Sequence, residues 1–180
     1  MTEKIKKLLD AAAIEKTLAR LAHEVVEKNE NLDELVFIGI RSRGDHIAER
    51  VAKRVEAISG KKIPVGAIDI TFYRDDIGLK IPKSAQPTDV KFSIDKKNVI
   101  LVDDVLFTCR STRAAMDALL DIGRPKKIQL LVLIDRGHKQ LPIHADYVGK
   151  NMPTSLKEEI QIKVTELDGE DSVTLKEVSE

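Results

Sequence analysis

Three short apolar runs constrain this chain more than anything else in it: LVFIGI (35–40), NVILV (98–102) and IQLLVLI (128–134). They are too uniformly apolar to lie half in water, so each reads as a strand buried on both faces. Between them run patterns of helical period. Ile14, Leu18, Leu21 and Val25 share one face of a first helix. Ile47, Val51, Val55 and Ile58 line a second, which Gly60 is placed to stop. A third is predicted from about Ser111 to Ile122, closed by Gly123 and then Pro125. VGAIDITFY (65–73) alternates enough to be a further strand. Strands alternating with helices imply an α/β fold, a mostly parallel central sheet flanked by helices on both faces.

Two stretches depart from this rhythm. Residues 74–91, RDDIGLKIPKSAQPTDVK, carry two prolines, a glycine and no sustained period, so they are expected to form a long, flexible, irregular loop. Residues 159–178, EIQIKVTELDGEDSVTLKEV, alternate at Ile160, Ile162 and Val164, turn at Asp168–Gly169 and alternate again at Val173 and Leu175. That is the pattern of a C-terminal β-hairpin. At 180 residues, a single domain over 1–180 is expected. Thirty basic residues balance thirty acidic ones, which argues against a uniformly basic nucleic-acid binder but permits a local basic face. One cysteine excludes an internal disulfide framework and fits a reducing compartment. The opening MTEKIKKLLDAAAIEK is charged throughout, and no apolar stretch approaches a membrane span. A cytoplasmic protein with no membrane partner is the expectation.

Open parallel sheets bind ligands beyond the carboxyl ends of their strands. In VILVDDVLFTCRSTR (99–113), Asp103 and Asp104 fall at such an end, and TCRS (108–111) opens the third helix. Adjacent carboxylates repel unless a cation, a metal or hydroxyl donors face them. A sugar presenting two cis hydroxyls, with Mg²⁺ on its other side, satisfies both. Hydroxyls and backbone N–H groups at a helix start form an anion site. The same residues can also do no more than end a strand and cap a helix, and spacing alone leaves both readings open.

VILVDDVLFTCRS resembles the phosphoribosyl-diphosphate signature of type I phosphoribosyltransferases. RLAHEVVEKN, GIRSRG, PVGAIDITFYRDD, AAMDALLDIGRPKKIQLLVLIDRGH and LPIHADYVGKNMPTS narrow the resemblance, over about residues 13–155. They resemble the bifunctional pyrimidine-operon attenuation regulators that are also uracil phosphoribosyltransferases. The resemblance implies the type I phosphoribosyltransferase fold, with a small hood that includes the C-terminal hairpin. It implies conversion of uracil and phosphoribosyl diphosphate to UMP and pyrophosphate, with Mg²⁺ bound mainly through phosphoribosyl diphosphate and no metal site of the protein's own.

The roles carried over by the resemblance are these. Asp103 and Asp104 bind the ribose hydroxyls, and Arg136 of DRGH stands near the nucleotide as a third catalytic candidate. Thr108, Cys109, Arg110 and Ser111 hold the 5′-phosphate, with Val105 beside them. Arg41, Ser42, Arg43 and Gly44 form the pyrophosphate loop, and Tyr73 and Arg74 open the flexible loop over the substrate.

The resemblance also implies binding of the leader mRNA stem-loop of the pyrimidine operon, promoted by UMP or UTP, by a homodimer or tetramer. The matching RNA-binding positions are Lys16, Arg20, His23 and Lys28, then His138, Lys139, His144 and Lys150. Lys16, Arg20 and His23 have spacings that share a helix face. The family commonly has threonine at Ala19 and arginine at Lys139 and His144. Lysine lacks the planar guanidinium fork and histidine is mostly neutral at pH 7, so weaker or altered RNA binding is expected.

Cys109 stands where the phosphate turn commonly carries glycine. Its side chain can point away and spare the amides. It can instead damage the turn, leaving an RNA-binding nucleotide sensor with weak or lost transferase activity. A third reading is a thiol activated by the helix start, but Ala115 stands where a thiol phosphatase has its arginine. The sequence does not decide between the first two. A purine-salvage enzyme of the same fold is the remaining alternative.

Overall fold

The computed structural model describes residues 5–75 and 85–177. Strands β2 (Leu35–Ile40), β3 (Val65–Ile68), β4 (Asn98–Leu106), β5 (Lys127–Asp135) and β6 (Tyr147–Asn151) form a parallel sheet in the order β3-β2-β4-β5-β6. Helices α1 (Ala11–Lys28) and α2 (Gly44–Ser59) cover one face, and α3 (Arg110–Ile122) covers the other. Leu35, Phe37, Ile100, Val102, Leu131 and Leu133 pack under α1 and α2. The alternate residues Val36, Ile38, Val99, Leu101, Leu130 and Val132 pack under α3. Both sides of each strand are therefore apolar, which is why the central runs show no polar alternation.

A second, antiparallel sheet has the order β1-β8-β7 and is built from Ile5–Leu9, Ser172–Glu177 and Glu158–Lys163. It is the expected hood, with the expected hairpin as β7 and β8. Between those strands the single turn of α4 (Thr165–Asp168) ends on Gly169, whose φ of 75° is the left-handed conformation that glycine adopts at least cost. Ile160, Ile162, Val164 and Val173 of the hood join the α1–α2 core.

The strand expected over 65–73 is shorter than its pattern. β3 stops at Ile68, and Thr71–Tyr73 form a 3₁₀ turn, because the Asp69 carboxylate accepts the Thr71 amide at 2.7 Å and bends the chain. Of the irregular stretch expected at 74–91, residues 76–84 lie outside the described residues. Beyond them Asp89 exchanges two backbone hydrogen bonds with Ala67, at 2.9 and 2.8 Å, so this end is zipped to β3.

Two glycines set the close approach of α2 to the sheet. A Cβ on Gly39 would lie 2.2 Å from the Asp45 Cα, and one on Gly44 would lie 2.4 Å from the Val102 carbonyl oxygen. Without side chains there, the 41–44 turn sits directly beside the carboxyl end of β4.

Ion pairs tie the hood to α2. Arg43 is bidentate to Asp168, and Arg50 donates to both oxygens of Glu166 and both of Asp171. The Arg50 guanidinium, with the Thr165 amide and hydroxyl, holds the Asp171 carboxyl down to about 2 from an ordinary 3.8. A depressed folded-state pKa contributes stability above the unfolded value, and that stability is lost as pH falls through the folded one. Unfolding free energy is therefore expected to drop by about 2 kcal/mol from this group between pH 4 and pH 2. Urea titrations of an Arg50→Met variant, compared with the native chain, should show that acid-sensitive component removed.

Candidate active site

The carboxyl ends of β2, β3 and β4 and the start of α3 enclose two adjoining cavities. One, of about 370 Å³, is walled by Arg41, Ser42, Asp69, Gln86, Asp103 and Asp104, among others. The other, of about 310 Å³, is walled by residues 105–112 together with Arg74 and Asp103. Arg74, Asp103, Val105 and Ser111 belong to both.

Asp103 is buried and Asp104 half-buried. Asp103 Oδ1 accepts the Asp104 amide at 2.9 Å, and Asp104 Oδ1 accepts the Val105 amide at 2.8 Å. Burial pushes both carboxyls above their ordinary range. Asp103 moves furthest, since the neighbouring Asp104 charge adds to the burial while Arg74 works against it. At Asp104 the backbone bond from Val105 and the charge of Arg43 oppose the shift. Such a pair is undercompensated, and it favours any ligand that brings hydroxyl donors or a cation.

Arg41 and Ser42, joined by a cis peptide bond, line the first cavity. The Arg43 side chain leaves the cleft for Asp168 of the hood, and Gly44 is buried against β4. Thr108, Cys109, Arg110 and Ser111 line the second cavity. The Tyr73 hydroxyl donates to Asp121 of α3 at 2.6 Å, and Tyr73 belongs to neither wall. Arg136 is buried; its Nε donates to Thr154 Oγ1 at 2.9 Å and its Nη2 to the Glu158 carbonyl at 2.7 Å. Its guanidinium lies 3.9 Å from the centre of the Phe107 ring, so it supports the cavity wall from behind. Asp69, Thr71, Gln86 and Phe107 line the cavities but were not among the residues expected from the sequence. Asp69 gave no signal in the sequence, because the strand expected over 65–73 ran through it; only the end of β3 at Ile68 puts this carboxylate just past a strand.

A model of the phosphoribosyl transferase domain family matches residues 4–168. Bifunctional protein PyrR of Clostridium botulinum (strain Alaska E43 / Type E3) is 54% identical over 170 residues, covering 93% of this chain and 94% of that protein. The chain belongs to the PyrR family. Bifunctional protein PyrR of Pelotomaculum thermopropionicum is 50% identical, with 100% of both chains covered. Among solved structures, hypoxanthine phosphoribosyltransferase of Trypanosoma cruzi superposes with a TM-score of 0.71 over 97% of each chain. At 17% identity that likeness concerns the fold alone.

In this PyrR-family chain Cys109 takes φ 71° and ψ 4°, the left-handed conformation. Its thiol is turned into the α3 core, 3.5 Å from the Ile143 carbonyl, and the residue is 2% exposed. The added side chain therefore does not occupy the cleft. Burial pushes the thiol pKa up, against a smaller opposite effect of Lys139, so the reading of an activated thiolate fails. For Cys109→Gly, relief of backbone strain and loss of the packed thiol oppose each other. Stability is expected to stay within about 1 kcal/mol in chemical denaturation.

The residues matched to RNA binding form two groups. Lys16, Arg20, His23 and Lys28 are exposed on α1, beside edge strand β6 and its exposed Lys150. Arg20 donates to the carbonyls of Val148 and Gly149 and pairs with Glu24, while Lys28 donates to the Asp146 carbonyl at 3.1 Å. These contacts also satisfy carbonyls at an open sheet edge. His138 and Lys139 are exposed beyond β5, held by the Thr154 carbonyl and Asp135, and His144 is exposed before β6. Among the described residues no helix is long and apolar enough to cross a membrane.

Proposed function

We propose that the chain converts uracil and phosphoribosyl diphosphate to UMP and pyrophosphate, and that it also regulates pyrimidine biosynthesis by binding leader RNA. The observation that carries the transferase half is the undercompensated Asp103–Asp104 pair between the 41–44 turn and the start of α3. Asp103 and Asp104 would take the ribose hydroxyls, residues 108–111 the 5′-phosphate, and the 41–44 turn the leaving pyrophosphate. The uracil ring would lie on the Phe107 side, which Arg136 braces.

The carboxylate pair also fits Mg²⁺ carried in by the substrate. Among the described residues no cluster of three or more potential ligands stands ready for a metal, so the remaining positions would fall to substrate oxygens. When bound, the cation would offset charge on the departing pyrophosphate. The protein's own part is to orient the sugar, exclude water from the forming oxocarbenium centre and steady the leaving group.

The sensor-only alternative drew its support from damage at Cys109, and the buried thiol removes that motive. Uracil, phosphoribosyl diphosphate and Mg²⁺ at saturation should give UMP, and Cys109→Gly should change the rate by no more than about twofold. No UMP above background from the native chain, together with a restored rate in the variant, would establish the sensor-only reading.

For the regulatory half, the α1–β6 surface and the 138–150 positions offer basic side chains to phosphates and unpaired bases. A pyrimidine-leader stem-loop should bind more tightly than a scrambled RNA at physiological salt with UMP present; equal affinity would refute it. We assign the chain, as one domain, to the cytoplasm and to a homo-oligomeric state that sedimentation can check.

A further inference from the structure

Arg41 is held from two sides at the rim of the first cavity. Its Nη1 donates to Gln86 Oε1 at 3.1 Å and lies 3.6 Å from Asp45, and its amide donates to the Ile68 carbonyl at 2.9 Å. Gln86 is itself fixed, since its amide donates to Asp69 Oδ2 at 2.6 Å. The other oxygen of Asp69 accepts the Thr71 amide, so one carboxylate joins two distant points of the chain. The double backbone bond between Ala67 and Asp89 locks the same register. Arg41 Nε is buried and without a partner among the described residues. Arg41, Asp69 and Gln86 all wall the cavity that holds Asp103 and Asp104.

We propose that Asp69 and Gln86 are positioning residues that present the Arg41 guanidinium to the pyrophosphate group of the substrate, an inference that rests on the transferase reading. The chemistry of the relay supports it. An unrestrained arginine loses rotamer freedom when it captures an anion, and fixing it beforehand removes that loss. A carboxylate in direct hydrogen-bonding contact would offset more of the charge needed for the anion. Asp45 stands back at 3.6 Å, the closer hold on Nη1 comes from the neutral amide oxygen of Gln86 at 3.1 Å, and Asp69 stands one residue behind Gln86.

The test compares the native chain with Gln86→Met, Arg41→Met and the double variant, by steady-state kinetics and by calorimetry of Mg²⁺–pyrophosphate binding. Gln86→Met should raise the KM for phosphoribosyl diphosphate and the pyrophosphate Kd about tenfold, the effect of losing one hydrogen bond to a charged donor. The KM for uracil and kcat should move by less than about twofold. In the Arg41→Met background the Gln86 substitution should add less than about twofold, because its effect passes through Arg41. Asp69→Asn, which keeps one acceptor and loses the other, should show the same pattern at about threefold. An unchanged pyrophosphate Kd in Gln86→Met, or full additivity in the double variant, would overturn the inference. If pyrophosphate binding follows the expected pattern yet the native chain forms no UMP, the transferase reading falls and the placement of Arg41 stands.

Discussion

Replacing Asp103 by Asn should lower kcat/KM for UMP formation about 100-fold, the scale of losing a charge-assisted contact in a shielded site. The same substitution should raise the thermal midpoint of the ligand-free protein at pH 7. Both effects come from one cause. Burial and the neighbouring Asp104 push the Asp103 carboxyl up, so its charge is held less favourably in the folded state than in the unfolded chain. With a folded pKa above the unfolded one, the pair favours folding most at low pH. That contribution disappears as pH rises through the folded value. Asn keeps the acceptor for the Asp104 amide and carries no charge to desolvate. Stability of the variant should therefore depend less on pH above about 4. Joint measurement of kcat/KM and of unfolding across pH checks the pair of effects. Loss of activity together with loss of stability would mean that Asp103 serves only the structure of β4.

Arg136→Met should destabilise the fold by about 3 kcal/mol, read as a lower urea midpoint with an unchanged slope. The guanidinium serves the Thr154 hydroxyl and the carbonyls of Ser155 and Glu158, and its flat face lies on Phe107. Methionine fills much of the volume but leaves those acceptors without their donor. Arg136→Lys should recover only part of the loss, since an ammonium has no fork to span the same acceptors and no plane to stack. Because Phe107 walls the second cavity, the KM for uracil should rise in both variants.

The central runs were legible because β2, β4 and β5 are buried on both faces, a condition that leaves an unbroken apolar signature. β1 and β6 left none. IKKLL shows no strand alternation, and its extended shape comes from pairing with β8. YVGKN is brief, and its glycine answers to tertiary contact: a Cβ on Gly149 would lie 2.3 Å from the Leu133 carbonyl oxygen and 2.9 Å from Thr17.

At the site, Asp103, Asp104 and residues 108–111 stood out through their place after a strand. The directions of Arg43 and Arg136 did not, since a side chain's partner is fixed by whatever the rest of the chain delivers nearby. Gln86 meets Asp69 across a long intervening segment, and no local pattern reports such a meeting. The Cys109 question was posed by the sequence and answered only by where its thiol points.

β1 pairs with β8, Ile5 opposite Lys176 and Leu9 opposite Val173. A ribosome synthesises β1 before the strands of the parallel sheet and β8 after them, so β1 waits for its neighbour while β2 to β6 are made. The parallel sheet and the acidic cleft draw only on segments made in between and can assemble while the nascent chain still lacks its hood. Until β8 emerges, the apolar side chains of β1 and β7 and their open backbone edges are available to chaperones, and to the matching segments of adjacent chains on the same messenger.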